Sequence, residues 1–294
     1  MKLSKAMKCV VAFLLAAAMC FPAGCREKSD PWVSAVFGGG PFVTGIEESA
    51  EILKSSDFNT MIIWSVHVNE NGDLVLNDVP VASFGRCIAK KTIREEWAKL
   101  KEKGSSIKRV EISVGAWGCK DFENIKALIE KDGTGEDTSL YKNFKALIEA
   151  TGADAVNFDD ESCYDVDSAV KFGKMCESMG VKVSLCPYTR MDFWKEVKTG
   201  LGDTVDRVYL QCYAGGANND SDEWAKELDT LIIPGYWCLH GAEGDTAEEV
   251  TRKLTECEMV TGGFMWLYDD MMKLESPNAV TDYGTAIKNA KPEK

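Results

Sequence analysis

The sequence predicts an α/β fold, a closed (β/α)8 barrel of the TIM type in a single domain over residues 32–294. Two observations carry that expectation. Eight short runs rich in β-branched and aromatic residues alternate with helical patterns, and no repeat or low-complexity stretch interrupts them. The competing architecture, a doubly wound open sheet, needs a phosphate-binding first turn. Neither the G-x-G-x-x-G nor the Walker spacing is present.

The first run, Trp32 to Phe37, stops at Gly38-Gly39-Gly40-Pro41, a glycine triplet that reads as a turn after a strand. Ile46 to Leu53 has helical spacing. Phe58 to Val66 is the second strand, and Asn71-Gly72 between apolar runs predicts a hairpin reaching Leu76. Thr92 to Lys103 places Ile93, Trp97 and Leu100 on one helical face. Arg109 to Ala116 is the third strand, Phe122 to Glu130 and Leu140 to Ala150 are helices, and Asp154 to Asp160 is the fourth strand. The alternation continues through helix Val166 to Met179, strand Val181 to Cys186, helix Met191 to Lys198 and strand Arg207 to Tyr213. Helix Glu223 to Leu228, strand Thr230 to Leu239, helix Ala247 to Met259, strand Gly263 to Tyr268 and a closing helix, Ala279 to Asn289, complete it.

Residues 1–24 have the pattern of an export signal and not of a folded element. Lys2, Lys5 and Lys8 precede an apolar run from Cys9 to Phe21, and Ala23-Gly24-Cys25 follows as a small-residue cleavage site. The run is about 13 residues, short of the roughly 20 that span a bilayer. The pattern resembles a bacterial lipoprotein signal, which implies lipidation at Cys25, a tether over residues 25–31 and an envelope location on the outer membrane or cell surface. Pro22 stands where such signals usually carry Leu, which leaves plain secretion as the alternative.

Cleavage there leaves roughly 270 residues, the size of one large barrel. It also takes the net charge from −13 to about −16. Such a surface repels phosphate backbones and anionic lipid, so nucleic acid is excluded as a partner and a membrane is reached only through the lipid on Cys25. A neutral glycan suits it. After Cys25 come Cys87, Cys119, Cys163, Cys176, Cys186, Cys212, Cys238 and Cys257, with no C-x-x-C pair and only His67 and His240 as histidines. A zinc site therefore has little to build on. Mostly buried free thiols are expected, with room for one disulfide.

The chemistry-bearing stretch is Asp154-Ala155-Val156-Asn157-Phe158-Asp159-Asp160-Glu161. On a strand, period 2 places Asn157, Asp159 and Glu161 on one face and Val156 and Phe158 on the other. A half-buried surface strand alternates in the same way. Density distinguishes this one: Asp159 and Glu161 lie about 7 Å apart with Asp160 between them, and crowded carboxylates keep one acid protonated near neutral pH.

The stretch resembles the D-G-x-D-x-D-x-E signature of glycoside hydrolase family 18, the chitinases and endo-β-N-acetylglucosaminidases, through Asp154, Asn157, Asp159 and Glu161. Ala155 replaces the glycine and Asn157 the middle aspartate. Asp160 and Tyr164 look more like the endoglycosidase H type than like chitinases. Ser113-Val114-Gly115-Ala116, ending the third strand, resembles the family's S-x-G-G. Gln211-Cys212-Tyr213, ending the sixth, resembles the Q-x-Y of its endo-β-N-acetylglucosaminidases. Trp266, ending the eighth, matches the tryptophan that floors the sugar site. Taken singly, each is also what a packed strand contains. Their order on the third, fourth, sixth and eighth strands is the more specific feature.

The resemblance implies a retaining, substrate-assisted glycosidase with no cofactor and no metal. Glu161 would be the general acid and base, Asp159 would hold the acetamido N–H, and Tyr213 and Gln211 would orient the amide. Asn157, Ser113 and Trp266 would bind substrate, and Asn157 could hydrogen-bond Asp159. Trp64, Trp117 and Trp237, at or near strand ends, are weaker subsite candidates. Three readings stay open in descending order: an exported endo-β-N-acetylglucosaminidase acting on glycoprotein N-glycans, a chitinase or chitooligosaccharide hydrolase, and a glycan-binding protein that has lost catalysis on the same barrel.

Overall fold

A computed structural model of the chain describes residues 32–44, 46–239 and 244–292. The signal-like segment 1–24, the lipidation position Cys25, the tether 25–31 and His240 lie outside the described residues.

The described residues contain eleven strands: β1 (Val33–Gly38), β2 (Thr60–Val68), β3 (Leu74–Leu76), β4 (Val79–Ser83), β5 (Arg86–Cys87), β6 (Arg109–Val114), β7 (Ala155–Phe158), β8 (Lys182–Leu185), β9 (Val205–Gln211), β10 (Ile233–Trp237) and β11 (Gly262–Trp266). Eight of them, β1, β2 and β6 to β11, run parallel, and β1 pairs with both β2 and β11, which closes the sheet into a barrel. This is the (β/α)8 architecture the alternation predicted, with each predicted strand found within a few residues of its place.

The sequence missed β4 and β5. They extend the β2–β3 hairpin into an antiparallel excursion, β2–β3–β4–β5. Its turns are Asn77-Asp78, with φ of 45° and 64°, and Phe84-Gly85, with φ of 51° and 70°. Two successive left-handed residues are what a two-residue hairpin turn requires, and Phe is an unusual residue to meet that need. The excursion is clamped by Asn143, whose Oδ1 accepts from Gly85 N at 2.7 Å and whose Nδ2 donates to Gly72 O at 2.7 Å.

Helices form where apolar residues recur at helical spacing behind a capping side chain. Thr138, Asp165 and Asp220 each accept a backbone N–H of the first turn, and Thr246 with Glu249 forms a capping box. The helices cover the outward strand residues, for example Phe158 stacked on Phe172 at 5.0 Å. Among the described residues no helix is long and apolar enough to cross a membrane.

Inside the barrel the strands divide the space. On one side Ala35, Phe37, Ile62, Ile233 and Phe264 form an apolar wall, and the Phe264 ring lies where a Cβ on Gly235 would sit, 2.0 Å away. On the other side is a buried polar layer. Asn157 Oδ1 accepts from Ser113 Oγ at 2.8 Å, its Nδ2 donates to Ser184 Oγ at 2.9 Å, and Ser184 Oγ bonds Glu111. This layer supports the site.

Candidate active site

The barrel strands end on a cavity of about 590 Å³ at their C-terminal mouth, the position where barrels of this kind place their chemistry. Trp64, Trp117, Asp159, Glu161, Gln211, Tyr213, Trp237 and Trp266 line it, so the structure brings together eight residues singled out in the sequence. Trp117 is 82% exposed and forms the rim.

Asp159 continues the inward face of β7, and its N–H bonds Val114 O on β6 at 2.9 Å. Gly115 makes room for that crossing: it has φ of 99°, and a Cβ there would meet Asp159 O at 2.3 Å. This gives a physical reason for glycine in Ser113-Val114-Gly115-Ala116. Gln211, ending β9, donates Nε2 to Asp159 Oδ1 at 3.0 Å, to Glu161 Oε1 at 3.3 Å and to Cys186 O at 3.2 Å. Its amide is thus committed to the two acids, and it positions them in place of the free substrate contact expected of it.

Among the described residues no lysine or arginine lines the cavity. Burial pushes the Asp159 carboxyl well above its ordinary range, and the neighbouring Glu161 charge adds to the shift. Burial also raises Glu161, against the restraining hydrogen bonds of Gln211 and Asp159. The pair takes up a proton between its members more readily than either acid would in water.

Tyr213 is buried, and desolvation holds its phenol well above the ordinary value, so it stays a neutral hydroxyl. Its ring stacks on Trp266 at 5.9 Å with 25° between planes, and Trp64 meets Trp266 edge-on at 4.7 Å. Trp237 meets Tyr213 edge-on at 6.0 Å and donates Nε1 to Asp270 at 2.8 Å. These rings make a rigid apolar floor of the kind that suits the C–H face of a sugar.

Two expectations need correction. Asn157 and Ser113 do not line the cavity; both are fully inaccessible and bond each other in the layer beneath it. Asn157 does not bond Asp159 either, because its amide is used by Ser113 and Ser184. Asp160 adds its charge beside the pair, as the density of the stretch implied, and helps to raise Glu161, although it is not part of the cavity wall. Its carboxylate caps the following loop, accepting from the N–H groups of Ser162, Cys163 and Tyr164 at 2.9–3.1 Å. The eight described cysteines are unpaired thiols; Cys176, Cys186 and Cys238 are buried and the other five half-buried.

Sequence reasoning also missed Ser65, His67, Asn77, Cys119 and Tyr188, which share the cavity wall. The available signal was Ser65-Val66-His67, a hydroxyl and one of only two histidines at period 2 near a strand end.

In fold the chain resembles a family 18 chitinase from Pseudoalteromonas aurantia, with TM-score 0.64 and 14% identity over 88% of this chain and 100% of that one. A fungal endo-β-N-acetylglucosaminidase of glycosyl hydrolase family 18 gives 0.66 and 13% over 88% and 96%. The fold of this chain is thus a (β/α)8 barrel like that of these family 18 enzymes. A hyperthermophilic chitinase catalytic domain from Pyrococcus furiosus agrees, with TM-score 0.60 and 13% identity over 88% and 96%. No family model matches the chain, and no curated protein matches it in sequence. At these identities the likeness rests on the shape of the family 18 barrel, and the site must be argued from its own residues.

Proposed function

We propose that the protein is a retaining glycoside hydrolase that cleaves beside N-acetylglucosamine, acting as an endo-β-N-acetylglucosaminidase on glycoprotein N-glycans. The observation that carries this is the Asp159–Glu161 pair: a buried and a half-buried acid tied by one amide, with no lysine or arginine among the described residues that line the cavity, over a floor of Trp266 and Tyr213. The family 18 fold of known chitinases and of an endo-β-N-acetylglucosaminidase supports the reading.

In the free site the shared proton favours Asp159, the more desolvated acid. A bound 2-acetamido group brings an N–H that Asp159 accepts best as a carboxylate, so binding moves the proton to Glu161. Glu161 then donates it to the glycosidic oxygen as the acetamido oxygen attacks the anomeric carbon. Asp159 stabilises the oxazolinium, Tyr213 hydrogen-bonds the acetamido oxygen, and Glu161 deprotonates the water that opens the ring. Gln211 keeps the two acids in register throughout.

The test compares wild type and Glu161→Gln on a high-mannose glycoprotein and on a chitin oligomer. Release of the high-mannose glycan by wild type, lost in the variant, supports the proposal. Cleavage of the chitin oligomer alone reassigns the enzyme as a chitinase. Equal glycan binding by both proteins with cleavage of neither substrate makes the barrel a lectin. Export with lipidation at Cys25 is part of the proposal; palmitate labelling that persists in Cys25→Ala refutes it.

A further inference from the structure

Trp64 and Ser65 are neighbours in sequence, yet both line the cavity. A regular strand would send them to opposite faces. The ladder between β2 and β6 breaks register between Ile63 and Val66, and this bulge turns Ser65 and, two residues on, His67 toward the pocket.

The hydrogen bonds of these residues run in one line. Ser65 Oγ lies 3.0 Å from His67 Nε2, and His67 Nδ1 lies 2.9 Å from Asp121 Oδ2. Asp121 is buried and opens the helix Asp121–Asp132. It gives no side-chain cap to that helix; its other oxygen accepts Val68 N–H at 2.8 Å. Asn124 of the same helix donates to Val68 O at 2.8 Å, so helix and strand are fastened at this point. A hydroxyl, an imidazole and a carboxylate with both oxygens occupied is the arrangement that activates a nucleophile for acyl transfer.

We propose that Ser65, His67 and Asp121 form a second catalytic centre that hydrolyses O-acyl esters in this cavity, the ester being an O-acetyl group on the bound glycan. That the acyl group is carried by a glycan rests on the function proposed above; the ester chemistry rests on the relay alone. Ser65 Oγ attacks the acyl carbon while His67 Nε2 takes its proton, and the ester C–O bond breaks as that proton passes to the leaving sugar oxygen. Water, deprotonated by His67, then attacks the acyl-serine, releasing the carboxylic acid and restoring Ser65. Asp121 orients His67 throughout. The net reaction is ester plus water to alcohol plus acid.

His67, Cys119 and Asp121 also have donor atoms within 4.8 Å of one another, spacing that invites a metal ion. Both His67 nitrogens are already engaged, by Ser65 and Asp121, so a metal would have to displace one bond of the relay. The relay is the reading consistent with the bonds present. The charged and titratable groups facing His67 are Asp121 from the helix, Asp78 from the β3–β4 turn and Cys119 from the loop after β6. The Asp121 hydrogen bond raises the imidazole above its usual value of 6.5, against burial. The neutral base therefore grows in as pH rises through a value above that.

The full chain is treated with a fluorophosphonate probe and the adduct located by peptide mass spectrometry. A single adduct on Ser65 is expected, absent in Ser65→Ala and increasing with pH above 6.5. Hydrolysis of 4-nitrophenyl acetate should fall to the buffer rate in Ser65→Ala and by about 10⁴-fold in Asp121→Asn. An O-acetylated N-acetylglucosamine oligomer should release acetate. An unlabelled wild type, an adduct on Cys119, or ester hydrolysis that survives in Ser65→Ala overturns the proposal, as does stoichiometric zinc binding without labelling. Labelling of Ser65 with no acetate from the oligomer overturns the glycan part only. Because labelling does not require Glu161, failure of the glycosidase reading would leave this result standing.

Discussion

Two carboxylate clusters occupy the same barrel and are treated in opposite ways. Glu111, low on β6, is fully buried, and burial alone would raise its pKa. The charges of Arg109 and Arg207 and hydrogen bonds from Ser184 and Tyr209 outweigh that and hold it below the ordinary value. Its neighbours include Arg109 Nε at 2.7 Å and the Tyr209 hydroxyl at 2.7 Å. Asp159 and Glu161 sit two layers higher at the mouth, have no lysine or arginine among the described residues lining their cavity, and are pushed upward. A buried acid with its countercharges is part of the scaffold; a buried acid without them holds a proton it can give away.

Exchanging the two roles by mutation tests this contrast most strongly. Glu161→Gln should lower kcat on the cleaved glycan by about 10²–10⁴-fold or more, with a thermal midpoint no lower than that of wild type. Ordinary turnover in that variant would end the assignment. Glu111→Gln should do the reverse. It leaves Arg207 facing a neutral amide and Arg109 with Asp206 as its remaining carboxylate partner, and should cost about 3–5 kcal/mol in chemical denaturation, while the folded fraction keeps its kcat. A drop in kcat at full folding would show that the lower cluster is coupled to the chemistry.

The pH dependence separates them next. Glu111 has a depressed folded pKa, so its contribution is present above the ordinary value of 4.5 and is lost as pH falls through the lower folded value. Asp159 has a raised one, so its stability is complete below the ordinary value of 3.8 and is lost as pH rises toward the folded value. Asp159→Asn should therefore be more stable than wild type at pH 7, with a thermal midpoint higher by a few degrees, and the gain should vanish below about pH 3.8. A gain of equal size at all pH values would mean that the charge of Asp159 is not what strains the site.

The same contrast explains what the sequence revealed. Strands such as β7 and β9 were legible because inward polar and outward apolar residues alternate: Asn157 and Asp159 against Val156 and Phe158, Tyr209 and Gln211 against Val208 and Leu210. Depth along a strand was not. Asn157 and Asp159 share a face, but one lies under the floor and the other in the cavity, and period 2 does not say how far up the barrel a residue sits. Ser65 and His67 were hidden for a related reason, since a one-residue bulge reverses the inward parity and leaves no mark in composition. The sequence shows Asp160 as a further charge beside the pair, and only its three loop amides show that it also caps a turn.

The smallest effect concerns the layer between the clusters. Asn157 is neutral and linked through Ser113 and Ser184 to the lower network, so it transmits no charge to the acids above. Asn157→Asp would place a carboxylate under Asp159 in a site that has no cation of its own. A like charge there raises the proton affinity of the pair, because ionising it now works against one more negative neighbour. Glu161 would then stay protonated to higher pH, and the basic limb of the kcat/KM profile should move upward while kcat at acid pH changes little. A limb that stays in place would mean that the new carboxyl is itself neutral between Ser113 and Ser184. The polar layer would then insulate the reacting pair from the ionised barrel floor.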